Sequence, residues 1–164
     1  MSASNPHLGA LACFMFLTGA RISEALSLTW SEVDMSASRA LIRQTKIGAE
    51  RFAHLPPALV AAMANIRGDR VGKVFRYSSR ETARPQWDKA IRRAGIKHLS
   101  FHACRHGFAT AALQAGIDVV TVARLGGWKS PQHVFATYGH ASEDATLTDR
   151  LTGTPETQKY RKAL

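Results

Sequence analysis

The apolar run from Leu8 to Leu17 constrains this chain more than any other stretch. Ser4-Asn5-Pro6 stands before it, offering a capping side chain and then a proline at the first helical position, and Thr18-Gly19 interrupts it. A membrane-spanning helix needs about 20 apolar residues, so this run falls far short and reads as a buried core helix. No basic leader or small-residue cleavage site precedes it.

The elements that would pack with it follow in order. A second helix is expected from about Arg21 to Leu28. Arg39 to Thr45 alternates loosely, Lys46-Ile47-Gly48-Ala49 supplies a turn, and Arg51 to Leu55 resumes an extended pattern, which makes a β-hairpin with Lys46 at its tip. Pro56-Pro57 opens a helix that Arg67-Gly68 closes, and Lys73 to Phe75 is expected to be a short third strand on the hairpin. Gln86 to Ala94 ends at Gly95 as a helix does. Phe101, Cys104, Phe108, Ala111 and Ala115 then recur at helical period before Gly116. Asp118 caps another short helix, and Ser130-Pro131 caps one that carries Tyr138. The expected fold is mainly α with a small three-stranded antiparallel β-sheet, one domain over residues 1–151. Residues 152–164, polar and with almost nothing to bury, are expected to form a flexible tail.

Composition narrows the partner. The chain has 164 residues, 45% of them hydrophobic, enough for a single core. Its 22 Lys and Arg against 12 Asp and Glu give a formal net charge of +10, which points to a polyanion, and double-stranded DNA is the first candidate. The basic residues are scattered from Arg21 to Lys162 rather than gathered beside an apolar anchor, which argues against a membrane surface. Cys13 and Cys104 sit in apolar helical patterns without the spacing of a metal site or the density of a disulfide scaffold, so a reduced, cytoplasmic setting is expected.

Two pairs carry the chemistry. Arg21 and Glu24 lie three apart on one helix, so the carboxylate can orient the guanidinium, which suits a phosphate clamp as well as an ordinary surface ion pair. His102 and Arg105 repeat that spacing and set a proton-transfer group beside a second guanidinium. Two arginines can bind both non-bridging oxygens of one phosphodiester and stabilise the charge that gathers there during in-line attack. His98, His102 and His106 repeat every four residues, but Ala103 stands where a zinc protease wants Glu and Arg105 would bring a cation beside the metal. No metal and no cofactor is therefore expected. Trp30 and Trp87 read as core.

On these residues the chain resembles the tyrosine recombinase (phage integrase) family from about Thr18 to His140. Thr18-Gly19-Ala20-Arg21-Ile22-Ser23-Glu24-Ala25-Leu26 looks like the segment around the family's first catalytic arginine, and Gln44-Thr45-Lys46 like the hairpin with its catalytic lysine. His102-Ala103-Cys104-Arg105-His106-Gly107-Phe108-Ala109-Thr110 is similar to the histidine and second arginine block, and Leu125-Gly126-Gly127-Trp128-Lys129-Ser130 to the next. Tyr138 matches the nucleophile. The resemblance implies that Tyr138 attacks a scissile phosphate to give a 3′-phosphotyrosine, that Lys46 protonates the departing 5′-oxygen, and that His102 assists at the tyrosine. Trp128 stands where many relatives carry His and would position a phosphate oxygen through its indole N–H. Glu24, His106 and His140 are expected in support.

The interval from Trp128 to Tyr138 is one residue longer than usual, which implies a local bulge or a shifted register. The catalytic blocks begin near residue 18, where relatives usually carry an amino-terminal clamping domain first, so a single domain of a larger recombinase is expected. Other protomers joined in a DNA synapse are the implied partners. The alternatives are a type IB topoisomerase-like nicking and closing enzyme, or a DNA-binding module whose catalysis has decayed.

Overall fold

The computed structural model describes residues 5–44 and 49–138. Helix α1 (Pro6–Thr18) begins as the sequence dictates: the Asn5 side chain accepts the Leu8 amide, Pro6 takes the first helical position, and Gly19 closes the helix at φ 66°. It packs against both α3 (Pro57–Ala64) and α5 (His102–Gln114), so the two halves of the chain cover its apolar run. Gly19 has a second reason to be glycine: a Cβ there would stand 2.6 Å from the Phe108 ring.

After α1, α2 (Ile22–Ser27) and a 3₁₀ turn over Trp30–Glu32 lead into the sheet. Its three antiparallel strands are β1 (Val33–Asp34), β2 (Arg39–Gln44) and β3 (Ala49–His54), in that order. Three strands are present as expected, but the third is Val33–Asp34 and not Lys73 to Phe75. Lys73 makes an isolated bridge with Thr29, and the Val74 amide bonds the Leu28 carbonyl at 2.9 Å. Val74 and Phe75 are buried in the core, Phe75 against Phe14, which draws the segment to the chain leaving α2. A strand joined to β2 by a four-residue turn also closes a shorter loop than one returning from beyond α3.

Helix α3 stops at Ala64, earlier than the Arg67-Gly68 signal, because Asn65 already caps it through the Ala61 carbonyl. Helix α4 (Arg80–Ala94) starts six residues before the expected Gln86 and carries Pro85 inside it. Ser79 caps its first turn, and Ala83, Trp87 and Ile91, spaced by four, bury one stripe that runs across the proline. That burial, with the Trp87 Nε1 bond of 2.6 Å to the Leu99 carbonyl, outweighs the roughly 3 kcal/mol an interior proline costs. Trp30 and Trp87 are both buried, as their helical setting implied.

Helix α6 (Val119–Gly126), capped by Asp118, and α7 (Pro131–Tyr138) complete the described chain. The buried residues form two clusters: a large one around α1 to α4, and a small one of Ala109, Ala112, Val122, Ala123, Val134 and Tyr138. Among the described residues no helix is long and apolar enough to cross a membrane. Lys46, His140 and the 152–164 tail lie outside the described residues.

Candidate active site

The site is assembled where the C-terminal end of α6 meets the other elements. A helix leaves its last carbonyls without intrahelical partners and carries partial negative charge there. Three guanidinium groups, each from a different element, answer three successive carbonyls. Arg51 on β3 donates from Nε to the Leu125 carbonyl at 3.0 Å. Arg105 on α5 donates from Nη1 to the Gly126 carbonyl at 2.5 Å and also to the Gly19 carbonyl. Arg21, the residue that caps α2, reaches the Gly127 carbonyl at 3.4 Å.

Glu24 ties two of these cations together from below. Its Oε1 accepts from Arg21 Nη1 at 2.6 Å and its Oε2 from Arg51 Nη2 at 3.2 Å, while Oε2 also takes the Arg21 backbone amide at 3.0 Å. Glu24 is buried, so the pair is not a solvated surface bridge, and losing the carboxylate would strand charge in a low dielectric. Burial, with the Arg21 charge adding to it, pulls Arg105 down to about 10, so it stays cationic at neutral pH. Burial also lowers Arg51, with Glu24 opposing. Arg105 Nη2 and Arg51 Nη1 are both buried and have no hydrogen-bond partner among the described atoms. Such unanswered guanidinium donors suit an oxyanion ligand.

Trp128 lies against this cluster, with its ring centre 3.6 Å from the Arg105 guanidinium carbon. The indole also stacks beside Phe108 and crowds Gly126 so closely that a Cβ on that glycine would stand 1.9 Å from Trp128 Cζ3. Trp128 therefore sets the plane of Arg105, a role added to the hydrogen bond expected of its indole.

Tyr138, at the end of α7, is buried in the small cluster, and its hydroxyl shares a 2.6 Å hydrogen bond with His106 Nδ1. Burial raises its pKa and the Arg105 charge opposes that rise. The extra residue between Trp128 and Tyr138 is absorbed without a bulge in α7, which is regular from Pro131 to Tyr138. His102 is exposed and meets His106 edge-on, ring centres 4.6 Å apart. Partial desolvation of the ring first, then the charges of His106, Arg105 and Arg21, hold its pKa down. Cys104 beneath it is pushed up to about 11 by burial and by Cys13, which marks an inert, protonated thiol. His98 stands before α5 and faces Asp88 at 3.3 Å, away from the other two imidazoles in role.

Arg21, Glu24, His102, Arg105, His106, Trp128 and Tyr138 are thus linked in one connected site. Lys46, between β2 and β3 in the sequence, lies outside the described residues. Arg51 was not singled out from the sequence, yet a signal was there. It pairs with Ile42 and shares the inward face of the hairpin with Ala53, so an arginine occupies an apolar register position.

The geometry agrees with what comparison finds. The sequence pattern of the phage integrase family matches residues 2–144. The integrase of Salmonella phage P22 is 28% identical over 163 residues, an alignment that covers 86% of this chain and 42% of that one. The catalytic domain of bacteriophage HP1 integrase superposes with a TM-score of 0.72 at 24% identity, covering 93% of this chain and 84% of that domain. The site-specific recombinase XerH, solved on its palindromic difH substrate after cleavage, gives a TM-score of 0.71 at 20% identity, with 91% and 48% covered. The chain spans less than half the length of the P22 integrase it matches. The fold is that of a recombinase catalytic domain, and the chain belongs to the phage integrase family of tyrosine recombinases.

Proposed function

We propose that this chain is the catalytic part of a site-specific DNA recombinase that cuts and rejoins duplex DNA through a covalent bond between Tyr138 and a backbone phosphate. The observation that carries the reading is the convergence of a tyrosine hydroxyl with a cluster of arginines that retains unpartnered, buried donors. A phosphodiester supplies the oxygens that those donors lack, and the net charge of +10 supplies attraction to the rest of the duplex. XerH bound to difH DNA illustrates the substrate class on this fold.

In this reading Arg21 and Arg105 hold the two non-bridging oxygens, and their charges favour the transition state over the ground state. Arg105 is fixed through Nη1, so Nη2 is the donor it turns to the phosphate. Tyr138 Oη attacks phosphorus in line and the 5′-oxygen leaves, taking a proton that family resemblance assigns to Lys46. The bond energy is kept, because a phenol is a better leaving group than an alkyl hydroxyl, and a DNA 5′-hydroxyl reverses the step without ATP. None of these steps calls for a metal. Partner protomers in a synapse and a cytoplasmic setting belong to the same proposal.

The test is covalent trapping on a pool of nicked duplexes with randomised flanks, in EDTA. The wild-type chain is expected to form a denaturation-resistant adduct at a 3′-phosphate, Tyr138→Phe to form none, and Tyr160→Phe to match wild type. An adduct that persists in Tyr138→Phe, or none from wild type, overturns the reading. Relaxation of supercoiled plasmid with no preference for any recovered flank would instead favour a topoisomerase.

A further inference from the structure

We infer that His106, rather than His102, is the group that takes the proton from Tyr138 when the phenol attacks. The assignment rests on the recombinase reading above and names a catalytic group within it. Tyr138 Oη and His106 Nδ1 are 2.6 Å apart, within direct proton-transfer reach, and the two rings meet edge to face with centres 5.4 Å apart. In the tautomer with its hydrogen on Nε2, a neutral imidazole presents the Nδ1 lone pair to the hydroxyl, and this is the form the assignment requires. His102, one turn earlier on α5, has its ring against His106. It is one imidazole removed from the reacting oxygen.

The phenol needs such a base. It is buried, and burial disfavours the phenolate that attack requires. Among the described residues, the Arg105 charge on α5 acts on Tyr138, and His102 on α5, itself under the charges of Arg105 and of Arg21 at the head of α2, borders His106. In the forward step the O–H proton passes to Nδ1, the Oη–P bond forms, the bond from phosphorus to the 5′-oxygen breaks, and that oxygen is protonated from the opposite side. The imidazolium formed on His106 lies beside a phosphate that is gaining negative charge. On rejoining, the phenolate leaves phosphorus and recovers the proton from Nδ1, so the base is restored with each cycle.

Two measurements test this. Nitrogen-15 spectra of the free protein report which imidazole nitrogen carries the hydrogen. His106 is expected to show an unprotonated Nδ1 and a protonated Nε2, with the Nδ1 signal shifting in Tyr138→Phe. A protonated Nδ1 that donates to the tyrosine oxygen overturns the assignment, whatever the outcome with DNA. The second measurement is adduct formation on the nicked-duplex pool. His106→Asn retains a hydrogen-bond acceptor near Nδ1 but cannot accept a proton, so it should slow cleavage at neutral pH by about 100-fold or more. Replacing Tyr138 with a ring-fluorinated, more acidic tyrosine should recover most of that loss. Cleavage by His106→Asn at the wild-type rate, or a loss the fluorinated tyrosine does not relieve, overturns the role of His106. Tyr138→Phe run alongside separates this from a failure of the nucleophile itself.

Discussion

Around α1, Leu11, Phe14 and Met15 are sealed among Leu55, Leu59 and Phe75, all of them side chains with large apolar volume. The cluster under α7 is built instead from four small or medium residues on α5 and α6, with Val134 and Tyr138 closing it. Apolar burial at about 25 cal/mol per Å² is ample for the first region and meagre for the second. Large apolar side chains of α6 and α7 even face outward, Val120 at 63% exposure and Phe135 at 65%. Beyond that cluster, what ties α6 to the rest is polar: Arg21, Arg51 and Arg105 reach across from other elements to its last carbonyls. The part of the molecule that presents the proposed nucleophile is therefore fastened through the same cations that the proposed chemistry uses, so loss of one should show in both stability and catalysis.

The comparison can be broken most sharply in the large core. Phe14→Ala removes a fully buried ring that packs on Phe75, and should cost about 3–5 kcal/mol, seen as a global drop in urea midpoint. Retained stability would mean that the large cluster does not carry the fold.

Arg105→Met keeps much of the side-chain volume but leaves the Gly19 and Gly126 carbonyls without their charged donor. A loss of about 3 kcal/mol is expected. It should be local, with hydrogen exchange accelerating in α6 and α7 while the α1 amides stay protected. Uniform acceleration across both regions would refute the division. Arg51→Met removes one carbonyl bond and half of the Glu24 pairing, so about 2 kcal/mol is expected in the same denaturation assay, concentrated at β3 and the end of α6. An unchanged midpoint would reduce Arg51 to a bystander.

The smallest effect concerns pH. His102 has a lowered pKa in the folded chain, so the unfolded chain binds the proton more readily and the stability linked to this group is complete above the ordinary imidazole value of about 6.5. That stability declines as pH falls through the lower folded value. His102→Gln should flatten this part of the stability profile on the acid side, leaving the region above pH ~7 unchanged. An unaltered acid limb would place the titration elsewhere, with His7, also lowered by burial, the next group to replace.

Much of the fold is legible because its cues are local. Asn5-Pro6 and Gly19 bound α1 by capping chemistry, Asp118 caps α6, and two extended runs pair as β2 and β3. The errors share a cause. The helix expected from Gln86 starts six residues too late, because the sequence does not show the core that Ala83, Trp87 and Ile91 enter together across Pro85. Lys73 to Phe75 reads as a strand on the hairpin because it is short, but which edge it meets depends on where Phe14 lies. For the site, the spacing of Arg21 with Glu24 and of His102 with Arg105 suited a phosphate clamp but also ordinary pairing, and it was the order of the blocks that pointed to the family.

By itself, then, the sequence determined the helices and hairpin, the cationic character, and which residue types could clamp and attack a phosphate, since these follow from neighbours within a few positions. Only the tertiary structure decided that Tyr138 meets His106 and not His102, that Trp128 faces Arg105, and that Arg51 joins the cluster through Glu24. Those contacts join residues far apart in the chain, and their geometry depends on how the elements pack around the end of α6. Spacing along one helix carries no information about that packing.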